Sequence, residues 1–395
     1  MSTQDTPVSA TVAEPCTTGD LVRYFLRLGS FGFGGPIALA GYMQKDLVED
    51  RRWITKQEYL DGLALAQLAP GPLAAQLAIY LGWVRGGVLG ATLISAAFIL
   101  PSFLMVLALS WLYLRFGGLP WMEGAFYGIG AAVIAIIGRS AHKLTKLTLG
   151  KDKLLWGVFG LSGLVTAWTE SEILSLFLGS GLVVMAVRSF RGTPASPALM
   201  FAPSLPWLTA GVHGSADASE LWRIAWYFAE AGAFVFGSGL AIVPFLHGGV
   251  VNDFQWLTER QFLDAVAVAM ITPGPVVITV AFIGYLTAGP LGAIMASIGV
   301  FLPCYLFVVI PAPHYQKYGK NAHVATFVQG VTAAAAGAIA GAAFVLGKRA
   351  IVDLPTAALA LVTLGVLLKL KKAPEPLVIF VAGLIGIALR SLQHL

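Results

Sequence analysis

About a dozen apolar runs occupy most of the chain, and no soluble fold has room to bury them all. They lie near 21–43, 62–84, 87–114, 124–138, 154–168 and 171–187, and again near 221–246, 264–286, 289–312, 324–346, 351–370 and 376–392. A helix needs about 20 apolar residues to cross a bilayer, fewer where it is broken or sheltered by protein. Charge is too scarce for a water-facing surface: 11% of residues are charged, against roughly 25% in soluble domains. No alternating pattern of a membrane β-barrel occurs. The expected fold is an all-α polytopic membrane protein with about 12 segments, roughly 10 to 14. A soluble enzyme, a nucleic-acid binder, a disulfide scaffold and a disordered chain are excluded.

The runs come in two sets because the sequence repeats. Residues 31–80 align with 234–283, matching Phe31 with Phe234, Phe33 with Phe236, Gly34 with Gly237, Val48 with Val251, Trp53 with Trp256, Thr55 with Thr258 and Asp61 with Asp264. Pro70-Gly71-Pro72 falls on Pro273-Gly274-Pro275, and after a one-residue slip Gly82, Gly90 and Pro101 fall on Gly284, Gly292 and Pro303. The expected organisation is a polar tail (1–19), a first repeat (20–187), a linker (188–219) and a second repeat (220–395). Paired halves of this kind are a mark of secondary transporters.

The net charge of +5 reads as loop topology, since cytoplasmic loops collect Lys and Arg. Arg139, Lys143, Lys146, Lys151 and Lys153 follow the fourth run, whereas Lys369, Lys371 and Lys372 follow the fifth run of the second set, with Lys317 and Lys320 after its third. Basic loops of opposite parity predict inverted-topology repeats. The apolar patch 199–212 is the candidate for the extra crossing that inversion requires. The first twenty residues carry Asp5, Glu14 and Asp20 and no basic residue, unlike a cleaved signal peptide. The expectation is an uncleaved multi-pass protein of a bacterial inner (plasma) membrane. Cys16 and Cys304 make neither a disulfide framework nor a metal cluster.

Three sets of residues are candidates for chemistry. Pro-Gly-Pro inside an apolar run breaks a helix, and the half-helices that begin at Leu73 and Val276 would turn N–H groups and positive dipole ends toward an anion. The plainer alternative is a packing kink. The Gly-rich stretches Gly34-Gly35-Pro36 and Gly237-Ser238-Gly239 suit either an anion nest or close helix packing. Among ionisable residues, Arg27 and Glu230 occupy one repeat position, and Asp61 and Asp264 another. Each is a candidate for substrate binding (Arg27) or for a coupling or structural charge (Asp61, Asp264, Glu230). Snorkelling and helix-dipole pairing are the alternatives. No G-x-x-x-x-G-K-[ST] or H-E-x-x-H stretch is present, so neither ATP hydrolysis nor zinc hydrolysis is expected.

The order Gly34-Gly35, Val48, Trp53, Pro70-Gly71-Pro72, Gly82, Gly90, repeated through Gly237, Val251, Trp256 and Pro273-Gly274-Pro275, resembles the chromate transporter family. The resemblance covers about residues 20–395 and fits its long, two-domain members. It implies export of chromate from the cytoplasm and chromate resistance, with sulfate as structural analogue, no cofactor and no enzymatic activity. A sulfate or other oxyanion importer or exchanger on the same fold is the alternative, and a membrane-embedded reductase a further one. The implied partners are chromate, sulfate and the lipid bilayer, with no nucleic acid; a homodimer is compatible. Ser238 and Gly239 depart from the Gly35-Pro36 pattern, so the halves are expected to contribute unequally.

Overall fold

The computed structural model describes residues 14–33, 35–116, 120–169, 174–189, 218–234, 236–237, 242–314, 322–370 and 375–393. Residues 190–217 of the expected linker, with the patch 199–212, lie outside them, as do Lys317, Lys320, Lys371 and Lys372, while its ends at 188–189 and 218–219 belong to helices. The first set of elements is α1 (Thr18–Phe31), α2 (Gly35–Met43) running into a π-helical turn (Gln44–Asp50), α3 (Lys56–Leu68), β1 (Gly71–Pro72), α4 (Leu73–Phe116), α5 (Pro120–Leu149), α6 (Lys153–Thr169) and α7 (Leu174–Ser189). The same order returns as α8 (Ala218–Phe234), β2 (Phe236–Gly237), α9 (Ile242–His247) with its π-helical turn (Gly248–Asp253), α10 (Glu259–Ile271), a 3-10 turn (Val276–Ile278), α11 (Thr279–Val309), α12 (Ala322–Ala350), α13 (Leu354–Lys369) and α14 (Glu375–Gln393). The duplication reaches backbone detail. Arg52 and Gln255, one repeat apart, are the non-glycine residues with positive φ (54° and 52°) among those described.

The runs 21–43, 62–84, 221–246 and 264–286 do not fold as single crossing helices. Each turns back on itself. In the first, Gly32 to Gly35 interrupts the helix, with Gly35 at φ 75°, a backbone region open to glycine. Leu39 then packs onto Gly32, and at the open end the Glu14 N–H donates to the Arg52 carbonyl. In the second, α3 and the 73–85 segment of α4 lie antiparallel. Gly62 sits against the Tyr80 ring, where a Cβ would approach to 2.3 Å. The open end is closed by Arg85, which meets Glu58 at 3.0 Å and donates through Nε to the Trp53 carbonyl. The outer end of α3 has a capping box of Thr55 and Glu58, and that of α10 one of Thr258 and Gln261, which satisfies its first N–H groups.

A second reversal follows each Pro-Gly-Pro hairpin. Gly86 and Gly87 leave helical geometry inside α4, as Ala288 and Gly289 do inside α11. The flanking segments then meet glycine to glycine: a Cβ on Gly90 would lie 2.3 Å from the Gly82 carbonyl oxygen, and one on Gly284 2.3 Å from that of Gly292. The outgoing segments, 88–116 and 290–309, pack on each other. Thr92 near the start of one shares a hydrogen bond with Tyr305 near the end of the other (2.7 Å), so they run antiparallel.

The remaining helices exchange partners between the sets. α5 packs on α13 and α14, and α12 packs on α6 and α7. Small residues allow the close approach: Gly128 lies on Ala382 and Gly386, and Gly337 on Phe159. The stretches Leu73–Phe116, Val276–Val309 and Gln329–Lys348 are long and apolar enough to cross a membrane. Leu164, Trp168, Leu361, Phe344 and Phe380 stand exposed on the outer faces, as lipid contact requires.

Between α5 and α6, Asp152 accepts from Arg188 of α7 and from the Leu154 and Leu155 N–H groups. These bonds, the Arg188 bond foremost, hold its carboxyl below the ordinary range. A depressed carboxylate stabilises the fold above its unfolded pKa, about 3.9, and stops doing so as pH falls through the folded value. Thermal midpoints measured in detergent should therefore fall below about pH 4, and less steeply in Asp152→Asn, which has already lost the contribution.

Candidate functional site

The four hairpin tips meet across the two sets of helices. The Pro-Gly-Pro tip of the first set lies in parallel pairing with the glycine-rich tip of the second, Gly71 opposite Phe236 and Pro72 opposite Gly237. Reciprocally, the Gly274 N–H in the second Pro-Gly-Pro tip donates to the Gly32 carbonyl of the first set (2.9 Å). Gly71 (φ 137°) and Gly274 (φ 93°) adopt backbone conformations that side chains rarely take. Each is hemmed in from the other set: a Cβ on Gly274 would come within 2.0 Å of Ser102 Oγ, and one on Gly71 within 3.1 Å of Cys304 Sγ.

Ser102 and Cys304 stand one residue after the matched prolines Pro101 and Pro303. They do the same work in each set. Ser102 Oγ donates to the Gly29 carbonyl (3.3 Å), and Cys304 Sγ to the Val300 and Gly232 carbonyls (3.1 and 3.5 Å). Both tips are thus braced by a small donor on the long helix behind them.

The turn that opens α11 follows Pro275 with no side-chain cap, in contrast to the capped outer ends. Uncapped N–H groups at a helix start, with the dipole behind them, favour an anion. In the first set, Gln76 is fully buried. Its Nε2 donates to the Pro70 carbonyl (2.6 Å) and its Oε1 has no partner. Thr279 takes the equivalent place, its Oγ1 donating to the Val276 carbonyl (2.8 Å).

The expected site residues divide accordingly. Pro70, Gly71, Pro72, Gly237, Pro273, Gly274, Pro275, Leu73 and Val276 form the tips or the first residues after them, and Gly35 and Pro36 open α2 beside Gly32. Gly34, Ser238 and Gly239 lie outside the described residues. Arg27 is exposed on α1, about one turn before the tip, and Glu230 is exposed at the matching place on α8. The two aspartates part company. Asp61 accepts from Gln57 within α3 (2.8 Å), whereas Asp264 is 4% exposed and accepts from Tyr113 of the other set (2.8 Å). Helix capping falls to Thr55 and Thr258 rather than to these aspartates. Among the described residues no group of three or more His, Cys, Asp or Glu side chains is placed to hold a metal.

No sequence motif marks Gln76, Ser102, Cys304 or Tyr113. Ser102 and Cys304 were traceable through the matched prolines beside them. Gln76 carried no such mark, because its repeat partner is Thr279.

Comparison with known proteins agrees with this doubled arrangement. The sequence pattern of the family described as chromate transporter matches residues 19–185 and again 222–387. The chain is 57% identical to a chromate transport protein of Cupriavidus metallidurans, over 99% of this chain and 98% of that protein. It is 55% identical to a probable chromate transport protein of Synechococcus elongatus, over 93% and 94% of the two chains. With a chromate transport protein of Pseudomonas aeruginosa it shares 32% identity, over 83% and 80%. No solved structure matches the chain. It is a multi-pass inner-membrane transporter, not an enzyme, and it belongs to the chromate transporter family.

Proposed function

We propose that this protein is a secondary transporter that carries chromate out of the cytoplasm and thereby confers resistance to it. The observation that carries the reading is the reciprocal pairing of the tips, Gly71 and Pro72 with Phe236 and Gly237, and Gly274 with Gly32. Four broken helices converging between two repeats suit a small tetrahedral oxyanion, held by backbone N–H groups after Pro72 and Pro275. Relatives named for chromate transport support the choice of anion. Arg27, near the first tip, supplies positive charge on the approach. Asp264, buried against Tyr113, is the better placed of the two aspartates for a coupling role.

The direction follows from charge. Each negative charge leaving a cell with an inside-negative potential of about 100 mV gains about 2.3 kcal/mol, so the anion is driven outward whether it leaves fully ionised (roughly 4.6 kcal/mol) or singly protonated. Uptake would have to overcome the same amount. The antiparallel contact of segments 88–116 and 290–309 supports inverted repeats, the hairpins of the two sets entering from opposite faces. The elements of the first set run from Thr18 to Ser189 and those of the second from Ala218 to Gln393, which supports a division into repeats near 20–187 and 220–395. On this reading the first two runs of each repeat are re-entrant hairpins, and the crossings are fewer than the apolar runs suggest.

Flux in proteoliposomes tests the proposal. Radiolabelled chromate should move toward the positive side under an imposed potential, and an excess of unlabelled chromate should compete more strongly than sulfate. Accumulation against the potential, driven by a cation gradient, would overturn the export reading.

A further inference from the structure

Among the described residues, the Gln76 amide reaches the first tip and is left with an unused atom. Its orientation is not free. Nε2 must face the Pro70 carbonyl, which can only accept, at 2.6 Å. Oε1, the remaining atom, is an acceptor, is buried and has no partner. The amide lies beside Gly71, its Nε2 2.5 Å and its carbon 2.8 Å from where a Cβ would be, and so beside the tip that pairs with Phe236 and Gly237. An unpaired buried acceptor is costly and calls for a donor from the ligand.

Fully ionised chromate and sulfate offer only acceptors, so neither can supply it. Hydrogen chromate can, through its single O–H. It is abundant near neutral pH, whereas hydrogen sulfate is a far stronger acid and is absent there. Resting on the transport reading above, we infer that Gln76 Oε1 accepts the proton-bearing oxygen of hydrogen chromate, and that this bond separates chromate from sulfate at the tips. No bond is made or broken; the proton travels with its anion. Sulfate would set a lone pair against Oε1, and sites built to hydrogen-bond a hydroxyl strongly reject analogues lacking one. Repeat symmetry is broken at this point, because the Thr279 hydroxyl is committed to the Val276 carbonyl.

The Cys304 thiol, which donates to Val300 and Gly232, is a titratable group beside the first tip, and Asp264, bonded to Tyr113, lies farther back on α10. The experiment must separate them from the substrate's own proton. Chromate flux is measured in proteoliposomes over a pH series spanning the ionisation of hydrogen chromate, with sulfate as competitor, for the wild-type chain, Gln76→Met and Gln76→Thr. Half-saturating total chromate should rise with pH in the wild type and become constant when expressed as hydrogen chromate, while the sulfate inhibition constant stays flat. In both variants half-saturation should rise by about tenfold or more, its pH dependence should weaken, and sulfate should compete within a few-fold of chromate. Gln76→Thr, which copies the residue of the second repeat, guards against misfolding of the methionine variant. The inference is overturned if wild-type half-saturation ignores pH, if sulfate inhibition shifts in parallel with it, or if either folded variant keeps wild-type discrimination. Absence of chromate flux in the wild type at every pH would instead overturn the transport reading.

Discussion

Gly274→Ala is expected to abolish chromate flux while the protein still inserts and purifies. The added methyl would lie 2.0 Å from Ser102 Oγ, on a residue held at φ 93°. The conformation alone costs about 1–3 kcal/mol for a side chain, and the clash adds to it. Relief comes from turning the Ser102 hydroxyl, which gives up its bond to Gly29, or from moving the tip, which breaks the Gly274 N–H bond to Gly32. If about 3 kcal/mol of this falls on the transport step, flux drops by more than roughly a hundredfold. The companion Ser102→Gly/Gly274→Ala pair removes the clash and leaves the backbone strain, so partial recovery is expected. Full activity of Gly274→Ala in proteoliposomes would show that the tips do not need this geometry.

The second large effect is expected at the glycine contact behind the first hairpin. Gly90→Leu would push a side chain into the Gly82 carbonyl, which already lies 2.3 Å from where a Cβ would stand. Overpacking of a tight contact costs about 1–3 kcal/mol, and separating the segments would also disturb the neighbouring contact with Ile94. A lowered thermal midpoint in detergent is therefore expected. Gly157→Ala and Gly160→Ala on α6, where nothing lies within 4 Å of the Cβ position, should not lower it, because Ala is the better helix former. An equal fall in all three variants would mean that the loss does not come from packing at the Gly82 contact, since Ala and Leu are both better helix formers than Gly.

The parts of this fold that show in the sequence are those with a composition. Apolar runs, the Pro-Gly-Pro breaks and the repeat were all legible, because breakers and hydropathy are properties of short windows. Direction is not. Hydropathy is the same for a helix that crosses and for a hairpin that returns, so the runs 21–43 and 62–84 gave no sign of turning back. What turns them are contacts between distant residues, such as Gly62 with Tyr80 and Glu58 with Arg85. The site was legible by the same rule. Its breaking residues stood out, but the pairing of Gly71 with Phe236 spans the two repeats and has no local signal. Gln76 was hidden because its importance lies in one unpaired atom. The matched aspartates misled in the other direction: equal places in the repeat gave Asp61 a neighbour in its own helix and Asp264 a partner in the opposite set.

The exchange of helices between sets also constrains how the chain is made. α5 leaves the ribosome early, yet α13 and α14, against which it packs, are translated about 200 residues later. At 5–20 residues per second that delay is roughly 10–40 s. Through that interval the glycine face of α5, including Gly124 and Gly128, has no native partner and must be kept by lipid or by the insertion machinery. Neither half can finish folding by itself. The last helices to emerge complete the first half as well as their own.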